Sequence, residues 1–109
     1  AKIRARHGCR IAYHADTAPM ATDATFFRRH GFGLEIEPFE ADELLDEPEA
    51  EIAGERIGIL HVPGHCPGSL CFFFPSRGAL VGGDVLFLGG VGRWDLPGGD
   101  AELLFRGIR

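Results

Sequence analysis

Apolar and polar positions alternate most clearly in the second half of the chain, where the pattern predicts strands. Arg56 to Val62 and Ser69 to Phe74 are two such segments, and Ala79 to Asp84 is a third. The turn residues from Pro75 to Gly78 join the last two segments as a hairpin. Ala50 to Ala53 adds a fourth strand ahead of them. The C-terminal half is therefore expected to be strand-rich.

Helical spacing with capping residues occurs in three places. The predicted helices are Lys2 to His7 closed by Gly8, a helix capped by Asp16 or Thr17 that runs through Met20 towards Arg29, and Ala101 to Ile108 capped by Asp100. Together with the strands, they predict an α/β chain of the α+β type.

The remaining segments are shorter or less regular. Arg10 to His14 and Leu34 to Glu37 are predicted as short strands, the second of them exposed. Ala41 to Pro48 is interpreted as an acidic connector, and Phe87 to Gly99 holds too much glycine for a regular element.

The net charge of −5 is placed unevenly along the 109 residues. Nine of the sixteen acidic residues lie between Glu35 and Glu51, a segment without Lys or Arg. A solvated face explains this run, and a cation site is the alternative. No basic stripe is present, so nucleic acid is not an expected partner, and nothing in the sequence favours a membrane surface.

The chain has the length of one domain and three cysteines, Cys9, Cys66 and Cys71. Their number is odd and their spacing fits neither a disulfide framework nor a zinc ribbon. Reduced thiols in the cytoplasm are the simplest interpretation.

The first candidate for chemistry is the segment from His61 to Ser69, His-Val-Pro-Gly-His-Cys-Pro-Gly-Ser. Pro63 cannot donate a ladder hydrogen bond, and Gly64 permits backbone angles that other residues avoid. The preceding strand is therefore expected to end in a rigid loop that presents His65. A rigidly held imidazole suits a metal ligand, although a single histidine in a turn is more often structural.

The second candidate is Asp84, which follows Gly82-Gly83 at the end of a segment predicted as a buried strand. A buried carboxylate is costly unless it is paired or binds a metal. The strand–turn–strand hairpin between His65 and Asp84 would return the carboxylate to the histidine's end of the sheet. The pair is thus more informative than either residue alone.

The quoted motifs resemble those of a known family. His-x-Pro-Gly-His65-x-Pro-Gly-Ser69, Gly83-Asp84-x-Leu-Phe87 and Gly92-Arg-x-Asp95-Leu-Pro-Gly-Gly-Asp100 are similar to the second half of metallo-β-lactamase-fold hydrolases, in the glyoxalase II-like (hydroxyacylglutathione hydrolase-like) branch. The resemblance implies that the chain belongs to a four-layer αββα sandwich, of which it supplies the middle part.

The resemblance also implies functional roles. His65 would be a metal-ligand histidine, Asp84 a carboxylate that bridges two metal ions, and Arg93 a basic residue near the glutathione end of the substrate. The implied cofactor is a pair of zinc ions, with iron or manganese as alternatives. The implied reaction is hydrolysis of a small-molecule thioester, such as a hydroxyacylglutathione, by metal-activated water.

Part of the implied ligand set does not occur in these residues. The family's His-x-His-x-Asp-His motif is absent, and a last histidine ligand would lie beyond Arg109. His14 and His61 are interpreted as packing or solvent residues. We therefore expect a single partial domain, lacking its N-terminal motif and its C-terminal part. Such a chain is expected to expose sheet edges and apolar faces.

Two other interpretations remain open. Persulfide dioxygenases share the implied fold and use a single iron, so metal content would distinguish them from the hydrolase. The chain could also be a truncated, non-catalytic remnant.

The first testable prediction concerns metal binding by the 109-residue chain. Two ligands cannot complete a four-coordinate site, so we expect weak zinc binding and no thioester turnover. Equilibrium dialysis with zinc and a glutathione thioester assay provide the measurements. Tight, stoichiometric zinc accompanied by turnover would contradict the prediction.

Overall fold

The strands occupy mainly the second half of the molecule, as the computed structural model of residues 2–109 shows. The helices are α1 (Lys2–His7), α2 (Ala18–Thr22), α3 (Phe26–Arg29) and α4 (Ala101–Ile108). The strands are β1 (Ala12–Tyr13), β2 (Glu43–Leu44), β3 (Glu49–Ile52), β4 (Glu55–His61), β5 (Leu70–Phe74), β6 (Ala79–Val81), β7 (Leu86–Phe87) and β8 (Gly90–Val91).

The large sheet is antiparallel, in the order β3-β4-β5-β6. β1 and β2 form a separate parallel pair, and β7 and β8 form a small hairpin. In β4, Ile57 and Ile59 are buried while Arg56 and Leu60 are exposed, which is the period-2 pattern of a half-buried strand. The four predicted strands of the C-terminal half are thereby confirmed, as is the mixed α/β class.

The core that positions the candidate site lies between the end of the large sheet and α4. Val62, Cys71, Val85 and Leu104 form one buried cluster, and Leu104 is completely inaccessible to solvent. The side chain of Asp100 accepts a hydrogen bond from the backbone N–H of Leu103, which confirms the predicted cap of α4. The core therefore joins α4 to the loop that follows β4.

The predicted helix from Asp16 towards Arg29 is wrong in its continuity. A 3-10 turn over Ala15–Thr17 precedes α2, and the backbone of Asp23 is extended between α2 and α3. The carboxylate of Asp23 accepts hydrogen bonds from the backbone N–H and the hydroxyl of Thr25. Because a short polar side chain can compete for backbone groups in this way, the helix stops and starts again.

Three other expectations from the pattern are also wrong. Leu34 to Glu37 is not a strand, because a strand forms only against a partner and this segment has none among the described residues. The acidic connector contains β2, which pairs with β1, and the glycine-rich segment contains β8. The alternation of apolar and polar residues does not reveal two-residue strands such as these, because contacts with other segments stabilise them.

Arginines from other parts of the chain pair with the acidic segment. Asp42 binds Arg4 at 2.7 Å, Glu43 lies 3.3 Å from Arg10, and Glu49 binds Arg56 at 2.6 Å. The acidic run thus lies at the surface, as the solvated-face interpretation expected.

Several large apolar side chains of residues 2–109 are exposed, among them Leu60, Phe73, Leu80, Val81, Phe87 and Leu88. The longest described helix has eight residues, so no helix in this part of the chain is long and apolar enough to cross a membrane.

The second prediction tests the core through α4. Replacing Leu104 with Ala removes a fully buried side chain and should lower the free energy of unfolding by about 2–5 kcal/mol. Leu103→Ala is the matched control, because Leu103 is 39% exposed and precedes Leu104 on the same helix. Urea unfolding of both variants provides the measurement, and equal losses would contradict the proposed core.

Candidate metal centre

The loop between β4 and β5 carries His65 and is held by α4. The backbone carbonyl of Gly64 accepts a 2.8 Å hydrogen bond from the N–H of Asp100. Gly64 has a φ of +134°, and a side chain there would place its Cβ only 2.4 Å from the Cβ of Leu104. Both features require glycine, so the sequence Pro63-Gly64 fixes the position from which His65 projects.

The proton on the imidazole of His65 is placed by a backbone group. Nδ1 lies 2.8 Å from the carbonyl oxygen of Arg93. Because a carbonyl can only accept, Nδ1 donates and the lone pair of the neutral ring is on Nε2. Metal-binding histidines commonly have this arrangement, in which a backbone carbonyl or carboxylate fixes the orientation and tautomer of the ring.

Asp84 lies beside the free nitrogen of His65. One carboxylate oxygen, Oδ2, is 3.7 Å from Nε2 of the histidine. The backbone N–H of Gly92 donates to the carbonyl of Val85, which ties the end of the β7–β8 hairpin to the residue next to Asp84. The predicted proximity of His65 and Asp84 is confirmed.

The expectation that Asp84 ends a buried strand is wrong. β6 stops at Val81, all three of its residues are exposed, and the side chain of Asp84 is itself 71% exposed. All three residues of β6 are exposed, so no element of residues 2–109 covers either face of this strand. Burial therefore does not identify this carboxylate as a metal ligand. The evidence for that role is its position beside His65.

The two side chains fit a metal ion by their chemistry and spacing. An imidazole nitrogen and a carboxylate oxygen are both ligands of zinc, and of iron or manganese. Two ligands bound tetrahedrally at about 2.1 Å from one ion lie about 3.4 Å apart. The observed 3.7 Å is close to this spacing. The ligand roles of His65 and Asp84 remain predictions.

Gly92 allows the two halves of the candidate centre to approach each other. A Cβ on Gly92 would lie 1.8 Å from the carbonyl oxygen of Asp84 and 3.3 Å from Nδ1 of His65. Any side chain at this position would therefore force the Asp84 backbone, the imidazole or both to move. Gly92 is therefore required for the observed positions of Asp84 and His65, although it contributes no ligand atom.

Arg93 is engaged by its neighbour Asp95. Nε and Nη2 of the guanidinium donate to the two carboxylate oxygens at 2.8 and 2.7 Å. The hydrogen bond from Arg93 lowers the pKa of Asp95 from 3.8 to about 2, and Asp95 raises the pKa of Arg93. The lowered value means that the pair is fully formed above pH 3.8 and is lost only as the pH falls towards 2. Arg93 as a substrate-binding residue stays a prediction.

A second group of possible ligands contains His14, Asp16 and His61, whose ligand atoms lie within 4.8 Å of one another. It is the one such group of three in residues 2–109. The sequence does not predict this group, because no motif or spacing links His14 with His61.

Hydrogen bonds already occupy the two nitrogens of this group that face Asp16. Nδ1 of His14 accepts from the backbone N–H of Asp16, and Nε2 of His61 donates to the carbonyl of Pro67 at 2.7 Å. The rings are stacked, with centroids 3.8 Å apart and planes 18° apart. The group therefore supports the loop that carries His65 rather than offering a metal site.

The chain matches the family model of the metallo-beta-lactamase superfamily over residues 1–109. The chain belongs to this superfamily. Two solved structures are similar over 98% of the chain. The B3 metallo-beta-lactamase BLEG-1 has a TM-score of 0.87 at 31% identity, with 53% of that chain covered. The di-iron-bound form of TTHA1623 has a TM-score of 0.77 at 30% identity, with 52% covered.

Curated relatives include two proteins with functional names. The hydroxyacylglutathione hydrolase GloC of Haemophilus influenzae is 44% identical over 82 residues, which is 72% of this chain and 38% of the relative. The probable metallo-hydrolase YqgX of Bacillus subtilis is 39% identical over 77 residues, which is 70% of this chain and 36% of the relative. The chain thus spans less than two fifths of the length of these relatives.

The third prediction tests the contact at Gly92. Gly92→Ala should weaken zinc binding at least tenfold, because the added methyl group displaces Asp84 or His65. Gly90→Ala is the matched control, since a Cβ there meets nothing within 4 Å. Competition with a chromophoric chelator measures both affinities in a polypeptide that carries the whole superfamily domain. Equal affinities would show that the close approach does not shape the centre.

Proposed function

We propose that these residues form part of the metal centre of a hydrolase that cleaves a thioester, such as a hydroxyacylglutathione. The observation that carries the proposal is the pairing of His65 with Asp84: the hydrogen bond from Nδ1 to the Arg93 carbonyl leaves the lone pair of the neutral ring on Nε2, which lies 3.7 Å from the carboxylate. Membership of the superfamily and the similarity to the hydroxyacylglutathione hydrolase GloC of Haemophilus influenzae support it.

The proposed cofactor is a pair of zinc ions, which His65 and Asp84 would help to hold. When bound, the ions supply Lewis acidity, which activates water and polarises the carbonyl near neutral pH. Iron is the main alternative, since the TTHA1623 structure is described as di-iron-bound. The other ligands are expected in the part of the superfamily domain that the relatives carry beyond the matched residues.

The chain's own residues would act by orientation. The Arg93 carbonyl keeps the lone pair of the neutral His65 ring on Nε2, the nitrogen that faces Asp84. Asp95 holds the guanidinium of Arg93 through Nε and Nη2, and the two N–H groups of Nη1 and the second N–H of Nη2 remain as donors for a carboxylate of the substrate. Arg93 would thus bind the substrate's distant end.

We also propose a reducing, cytoplasmic environment. All three cysteines are free: Cys9 is exposed, Cys66 is half-buried and Cys71 is buried. Burial raises the pKa of the Cys71 thiol, which makes it a poor nucleophile. These unpaired thiols support the proposal, because oxidising compartments favour disulfides.

The fourth prediction tests the two proposed ligands in a polypeptide that carries the whole superfamily domain. His65→Ala and Asp84→Asn should each lower kcat/KM for S-lactoylglutathione about 100-fold or more, because each removes part of the charge stabilisation that the metal provides. His7→Ala is the control, since His7 is exposed on α1. Metal content is measured by atomic absorption on the same samples.

Two outcomes would contradict the proposal. Full activity in both variants would remove His65 and Asp84 from the metal centre. No thioester hydrolysis by the metal-loaded protein, with one iron per chain, would favour an oxygenase of the same fold instead.

A further inference from the structure

An apolar cavity of about 220 Å³ lies directly beside His65. On one side, its lining includes Phe26 and Phe27 from α3, together with Phe32 and Leu34 from the segment that follows. On the other side, it includes His65 and Leu96. The candidate metal ligand therefore forms part of the cavity wall.

Two polar atoms in this wall, one on each histidine, already have partners. Nδ1 of His30 donates to the carbonyl of Phe26 at 2.7 Å, and Nδ1 of His65 donates to Arg93. No charged side chain is among the described residues that line the cavity. A hydroxylated or ionised group placed among the phenylalanine and leucine side chains of the wall would lose its hydrogen bonds to water without replacing them, which is unfavourable. The cavity thus selects for a hydrocarbon.

The volume limits the size of the occupant. A buried apolar cavity of roughly 150 Å³ accommodates benzene, so about 220 Å³ suits a group of roughly eight carbon atoms. Bulky polar groups such as a tripeptide would need to lie outside it. The Arg93–Asp95 ion pair is not part of the lining, which is consistent with a polar substrate end on the open side.

We infer that this cavity binds the acyl group of the substrate, and that among thioesters the preferred acyl group is an aliphatic or aromatic hydrocarbon of about eight carbons rather than a short hydroxyacyl group such as lactoyl. The inference rests on the proposed thioester hydrolysis, because it assigns the acyl side of that substrate to the wall formed by His65. An acyl chain seated there would end with its carbonyl next to Nε2 and Asp84, where the proposed chemistry occurs.

Cys66 allows a binding test that does not depend on hydrolysis. Cys66 is one of the residues that line the cavity, Cys9 is exposed elsewhere and Cys71 is only 4% exposed. Alkylation by iodoacetamide is followed by peptide mass spectrometry at submicromolar protein, with butanamide, hexanamide, octanamide or lactamide as the probe. The experiment is performed on the chain and on a polypeptide with the whole superfamily domain.

We expect the alkyl amides to slow alkylation of Cys66 and not of Cys9. Each added methylene should lower the half-protecting concentration by up to about fourfold. Lactamide should not protect at the same concentrations. Equal protection by lactamide and octanamide, or no dependence on chain length, would overturn the inference.

A pair of Leu→Asp variants separates the cavity from general effects on the surface. Leu34→Asp places a carboxylate at the cavity, and because Leu34 is 52% exposed the fold should tolerate it. It should raise the half-protecting concentration of octanamide about tenfold or more. Leu88→Asp is the matched control on a fully exposed leucine of the β7–β8 turn and should change nothing. Identical curves of Cys66 protection against octanamide concentration for the two variants would contradict the assignment of the cavity as the binding site.

Hydrolysis then distinguishes this inference from the proposed function. S-octanoyl- and S-lactoyl-N-acetylcysteamine differ only in the acyl group. A higher kcat/KM for the octanoyl compound supports both ideas. Hydrolysis of both compounds at equal rates, without protection of Cys66, would overturn the acyl site alone. Protection without any hydrolysis would overturn the proposed function and leave an apolar binding site.

Discussion

The contact between α4 and Gly64 determines the position of the candidate metal centre. Leu104 packs where a side chain on Gly64 would lie, and the N–H of Asp100 binds the Gly64 carbonyl. Because Leu104 also belongs to the core with Val62 and Val85, the His65 loop and the segment next to Asp84 share one packing unit. Shifting α4 would therefore disturb both proposed ligands together.

Backbone groups, rather than charged neighbours, prepare His65 for its proposed role. The Arg93 carbonyl fixes the proton on Nδ1, and Gly92 permits the close approach that brings this carbonyl within 2.8 Å. A carbonyl remains an acceptor at every ordinary pH, so this orientation does not depend on the ionisation of another side chain. It differs in this respect from histidines whose tautomer is set by a carboxylate.

The sequence predicted the proximity of His65 and Asp84, because a hairpin of the right length brings its two ends together. It did not predict the break at Asp23 or the β1–β2 pairing, because these depend on side-chain competition for backbone groups and on contacts between distant segments. The tautomer of His65 was equally inaccessible, since the partner is a main-chain atom of Arg93. Asp84 was expected to be buried because β6 is apolar, yet all three residues of β6 are exposed.

The comparison of the two histidine sites shows why ligand distance alone is a poor criterion for a metal site. His14, Asp16 and His61 satisfy the distances, but the nitrogens that face Asp16 either accept or donate a hydrogen bond already.

His65 and Asp84 supply only two possible ligands. The hydrogen bond from Nδ1 of His65 to the Arg93 carbonyl nevertheless leaves the lone pair on Nε2, the nitrogen that faces the carboxylate. The same distinction applies to the cavity beside them, where Nδ1 of His30 and Nδ1 of His65 already have partners, most of the lining is apolar and an apolar group is the favoured occupant. The placement of protons thus separates a supporting cluster from a reactive one, and a hydrocarbon site from a polar one.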